Sequence, residues 1–86
     1  MSKPDELKIF KTLIGDSDDM LTYSVESNRG VVCICDIDIK KFSWLVTKMM
    51  SERDHNIANG LANDAKEAVN QALDSAYQYL QRNENG

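Results

Sequence analysis

The sequence predicts an α+β domain in the order short helix, two-stranded antiparallel hairpin, helix, long C-terminal helix (α-β-β-α-α), dimerised through the long helix. Three observations predict it. Residues 20–27 alternate apolar and polar, and the turn residues Asn28-Arg29-Gly30 separate them from a β-branched run over 31–39. Apolar residues recur at helical spacing on both sides of that hairpin. The chain has 86 residues, which is one domain and no more.

The first helix is expected from Ser2 or Lys3 to Gly15. Pro4 suits a first helical position, and Asp5 and Glu6 suit the positive end of the helix dipole. Leu7, Phe10 and Leu13/Ile14 then follow at helical spacing. Asp16-Ser17-Asp18-Asp19 reads as an acidic loop. In the hairpin, Leu21, Tyr23 and Val25 share one side, as do Val31, Cys33, Cys35, Ile37 and Ile39. A hairpin is marginal alone and needs helices or another chain against it.

A second helix is expected from Lys40 to about Arg53, with Asp38 as its cap and Phe42, Leu45, Val46, Met49 and Met50 on one side. After a break at residues 53–56, a long helix is expected from Asn56 or Ile57 to about Arg82, and residues 83–86 form a tail. Its stripe is Leu61, Ala65, Ala68, Ala72, Ala76 and Tyr79. About 25 residues of helix span roughly 38 Å, whereas a globule of this length is only about 30 Å across. That mismatch is the reason to expect two copies packed along the alanine stripe, sharing a core that one small chain lacks. The plainer alternative is that the rest of the same chain covers it.

Ten Lys+Arg against fourteen Asp+Glu give a net charge of −4, which disfavours direct nucleic-acid binding. No run reaches the ~18 apolar residues of a membrane-spanning helix. The first residues lack a secretory signal, and Cys33 and Cys35 are too close in a strand to bridge without strain. A cytoplasmic protein with reduced thiols is therefore expected.

Chemistry-bearing motifs are few. Asp36-Ile37-Asp38 has the shape of an aspartate-nucleophile phosphatase opening. Lys40 stands where that motif needs Thr or Val, and the chain is too short for the fold. Asp16, Asp18 and Asp19 start like a calcium loop, but Leu21 occupies the glycine position and Ser27 the glutamate position. Cys33, Cys35 and His55 give at most three ligands, one short of a structural zinc site. No metal, no cofactor and no catalytic set are expected.

One face of the second helix stands out. Trp44 falls opposite the apolar stripe, with Lys40, Lys41 and Lys48 within about 60° of it. A tryptophan among lysines can anchor an acidic protein partner or stack on a ligand; equally, it can be packed in a contact while the lysines are solvated. The function expected is a small acidic, non-catalytic inhibitor or adaptor acting as a homo-oligomer on a protein partner. The alternative is a binder of a small anionic or nucleotide-like ligand at Lys40, Lys41, Trp44 and Lys48.

Overall fold

The computed structural model describes residues 6–49 and 55–85, with helix side chains described through residue 82. They form a five-stranded antiparallel sheet followed by one helix. The strands are β1 (Ile9–Asp16), β2 (Met20–Ser27), β3 (Val32–Asp38), β4 (Ser43–Lys48) and β5 (His55–Leu61), and the helix is α1 (Ala65–Asn85). Strand order in space is the order in sequence, β1-β2-β3-β4-β5.

The α-β-β-α-α order is therefore overturned: what reads as a first helix is β1, and what reads as a second helix is β4. Pairing supplies the physical reason. The β2–β3 hairpin has unpaired backbone groups on both outer edges, and a strand on each side satisfies them, as buried N–H and C=O groups require. Helical spacing in β1 coexists with a strand alternation, Ile9, Lys11 and Leu13 on one face and Phe10 and Thr12 on the other. β4 is rich in Trp, Val and Thr, which favour a pleated, half-buried surface. Asp38 does cap, but it caps a turn: its Oδ1 accepts hydrogen bonds from the N–H groups of Lys40 and Lys41, both at 3.0 Å. The expected helix start at Pro4, Met50 of the second helix and the first half of the break, residues 53–54, lie outside the described residues, while His55 and Asn56 of the break open β5.

β2 and β3 occupy the hairpin positions that the alternation indicates, joined through Gly30 at φ 89°, a left-handed value that suits glycine. The last helix is shorter than its periodicity suggests. Residues 57–61 belong to β5, and Asp64 starts α1 by accepting the Glu67 N–H at 2.7 Å. Low β-propensity in Asn56, Ala58, Asn59 and Gly60 hides that strand from propensity. Gly60 is there because the Trp44 ring lies over it: a Cβ at position 60 would sit 2.7 Å from Trp44 Cζ2.

α1 packs on one sheet face, across β2 to β5. Val25, Cys33, Cys35, Ile37 and Val46 from the sheet meet Ala68, Ala72, Leu73, Ala76 and Leu80 from the helix in a single core. Small alanines let the helix axis approach the sheet closely. The stripe expected between two chains is thus covered within one: Ala68, Ala72 and Ala76 are all fully buried beneath the chain's own sheet. Ala65 is half-buried in the first turn, and Leu61 is not on the helix at all. At 1.5 Å per residue the 21-residue helix is about 32 Å long. The molecule is elongated, 51 Å in its longest dimension, so a helix of this length does not outrun it.

Candidate functional site

Because side chains alternate along a strand, the cross-strand pairs fix which residues occupy the sheet face opposite α1. One row across it is Phe10, Glu26, Val32 and Met49, and the next is Thr12, Ser24, Ile34, Thr47 and Asn56. Beyond them come Thr22, Asp36, Leu45 and Asn59, then Met20, Asp38, Ser43 and Leu61. No described element covers this face. Phe10, Met49 and Leu61 are 52%, 54% and 75% exposed on it. Its strand positions carry Glu26, Asp36 and Asp38 and no lysine or arginine. Thr22 Oγ1 donates to Asp36 Oδ1 at 2.9 Å, so Asp36 is partly satisfied within the sheet. Lys8, one residue ahead of β1, stands at the corner beside Phe10, and its backbone pairs with Asn28.

The other face places Trp44 and the lysines. Trp44 points toward α1, half-buried, and its indole N–H donates to Gln71 Oε1 at 2.9 Å. Gln71 in turn donates to Glu67 Oε1 at 2.8 Å. Lys40 and Lys41 lie in the turn before β4, where Lys40 Nζ pairs with Asp19 Oδ1 at 2.8 Å. Lys48 is at the far end of β4, with its ammonium 5.9 Å from the centroid of the Tyr79 ring. The strand therefore separates Lys40 and Lys41 from Lys48 by its whole length. The one helix face expected to carry all four residues does not exist, since four residues of strand put Trp44 and Lys48 about 13 Å apart.

The end of β4 that holds Lys48 borders a hollow of about 430 Å³ between β5 and the C-terminal half of α1. His55, Asn56, Ile57 and Ala58 line it from the strand, and Ser75, Gln78, Tyr79 and Arg82 line it from the helix. Lys48 and His55 are directly paired across β4 and β5. The sequence hides this hollow, because its two walls, residues 55–58 and 75–82, share one continuous helical period.

Cys33 and Cys35 are buried and unbridged. Burial pushes the Cys35 thiol up to about 12, with Cys33 and Asp36 adding to the shift. Burial pushes Cys33 up to about 11, partly offset by Lys48. Both thiols are poor nucleophiles at neutral pH. In the native protein they are expected to react with a thiol reagent far more slowly than in denaturant, measured by absorbance of the released chromophore. The unfolded chain loses these protons near pH 9 and the folded one later. Stability should therefore be unaffected by them below pH 9 and fall as pH rises from 9 toward 11, read by thermal melts across that range.

Among the described residues, no three His, Cys, Asp or Glu side chains come together as a metal site. No helix among the described residues is long and apolar enough to cross a membrane. Comparison with protein-family models, curated proteins and solved structures finds no match to this chain.

Proposed function

We propose that the chain is a small acidic, non-catalytic interaction protein, an inhibitor or adaptor, whose sheet face opposite α1 is occupied by a second copy of itself. The observation that carries this is the uncovered face itself, with Phe10, Val32, Ile34 and Met49 grouped at one end and Asp36 and Asp38 at the other. A solvated antiparallel face ordinarily intersperses lysines; interfaces are depleted in lysine and enriched in phenylalanine and methionine. A second copy fits because the apolar end carries both signs of charge. Neither Lys8 nor Glu26 has an ion-pair partner among the described residues, and a two-fold arrangement can set each against the other's mate. A chain this short also gains most from sharing a second apolar layer. The buried, reduced thiols support a cytoplasmic setting.

Phe10→Glu is expected to weaken self-association at least tenfold in sedimentation equilibrium while leaving the thermal midpoint of the monomer nearly unchanged. Phe10 is half exposed on the sheet's outermost strand, so little of the fold depends on it. Wild-type protein that stays monomeric at high micromolar concentration would sink the reading. So would a dimer indifferent to Phe10→Glu and to Met49→Glu.

An anionic ligand gripped jointly by Lys40, Lys41, Trp44 and Lys48 has less support, because the indole is committed to Gln71 and the lysines are at opposite ends of β4.

A further inference from the structure

The geometry points to the hollow between β5 and α1 as a binding site for a small phosphate monoester with a flat organic body. It lies on the helix-bearing side of the sheet, away from the face proposed for self-association, and does not depend on that proposal.

The first support is charge placement. The chain as a whole is acidic, at −4, yet none of the eight residues lining the hollow is Asp or Glu. His55 and Arg82 line it from opposite walls, and Lys48 reaches its rim across the Tyr79 ring. Among the described residues, none of these three has a carboxylate within ion-pair distance. Arg82 and Lys48 thus bring positive charge to a hollow with no acidic lining, and a concave site biased to one sign of charge concentrates the opposite sign.

The second support is donor chemistry. The hydroxyl of Ser75 and the ring nitrogens of His55 stand beside the Arg82 guanidinium, so a multi-oxygen anion meets neutral and charged donors together, whereas Asn56 turns its side chain to the other sheet face. Gln78 is less available as a donor, because its amide N–H already goes to Asp74 Oδ2 at 2.8 Å. A phosphate monoester, with several oxygens and close to two charges, uses this set more fully than a carboxylate would.

The third support is size and lining. About 430 Å³ is within the range of small-molecule sites and far more than a bare oxyanion fills. Ile57 and Ala58 supply apolar wall on β5, and the Tyr79 ring supplies a flat surface on α1. Ile57 is also the extra residue of the β-bulge opposite Val46/Thr47, between the Ala58 and Asn56 partners. Bulges re-aim side chains at strand edges, and this one breaks the strand alternation at the wall of the hollow.

The test is an NMR titration of the isotope-labelled full chain with adenosine monophosphate, inorganic phosphate and adenosine as separate probes. The expected result is amide shifts confined to residues 55–58 and 75–82 with the monophosphate, and at least tenfold weaker binding of the other two. Arg82→Gln and Lys48→Gln should each weaken monophosphate binding about tenfold, with the melting temperature as a check that the fold is kept. Arg82 is exposed, and glutamine preserves much of the Lys48 stem, so both variants should fold. The proposal is overturned if the monophosphate leaves those segments unmoved at millimolar concentration. It is also overturned if inorganic phosphate binds as tightly as the monophosphate, or if both charge variants bind like the parent.

Discussion

Ala72→Glu is expected to leave the protein unfolded near room temperature, visible as loss of the far-ultraviolet circular dichroism of both sheet and helix. Ala72 is fully buried beneath the sheet, and its carbonyl oxygen accepts from Cys35 Sγ at 3.7 Å. There is no room for a longer side chain without lifting α1 from β3, and among the described residues there is no buried cation to pair with a carboxylate. An unpaired buried charge costs several kcal/mol even after relaxation, while a domain of this size has a total stability of roughly 5–10 kcal/mol. Ala72→Gly separates the causes: it removes one methyl and helix propensity, costs about 1–2 kcal/mol, and should stay folded. A folded, dimer-deficient Ala72→Glu protein would instead return the alanine stripe to a seam between chains.

The second large effect is at Trp44. Trp44→Ala should lower the thermal midpoint by roughly 10–20 °C in a calorimetric or dichroism melt. Truncating a half-buried indole leaves a void over Gly60 and strands Gln71 without its donor, together worth about 2–3 kcal/mol. Each kcal/mol moves the midpoint of a domain this size by about 4–8 °C. Trp44→Phe keeps a ring over Gly60 and loses the Gln71 hydrogen bond, so its cost should be nearer 1 kcal/mol. Gly60→Ala approaches the same contact from the other strand. Its methyl would meet the indole ring, which has to shift, and a loss of stability with a red-shifted Trp44 emission is the expected readout. If Trp44→Ala melts like the parent but abolishes binding, Trp44 belongs to a recognition surface.

The central hairpin was legible because β2 alternates apolar and polar residues, β3 is a β-branched run, and Asn28-Arg29-Gly30 supplies the turn between them. Flanking strands were not. Leu7, Phe10, Leu13 and Ile14 satisfy a helix template and a strand template at once, and only the neighbour at β2 decides between them. In β4, the apolar run Trp44-Leu45-Val46 has no alternation to read: Trp44 and Val46 face the helix, while Leu45 faces the open side. β5 was swallowed by the helix after it, since Ile57, Leu61 and Ala65 continue the helical period across the strand and through the Asp64 cap. That error carried into function. Once residues 57–61 are helix and residues 40–53 are helix, four binding residues share a face and an alanine stripe seeks a second chain. With the strands restored, the lysines divide, the alanines find their sheet, and a hollow opens where the long helix was drawn.

In the meander order of the sheet, every strand pairs with the one synthesised just before it, so each step closes only a short loop at small entropic cost. The helix is different. It follows the whole sheet yet supplies half of the core, so Val25, Cys33, Cys35, Ile37 and Val46 have nothing to bury them until α1 has left the ribosome. A nascent chain arrested between β5 and Ala65 would show the apolar sheet face that α1 covers and two open strand edges, an aggregation-prone form. The lifetime of that intermediate is set by how quickly the codons of α1 are read, which makes the speed of translation over the helix a determinant of how much of this protein reaches its native state.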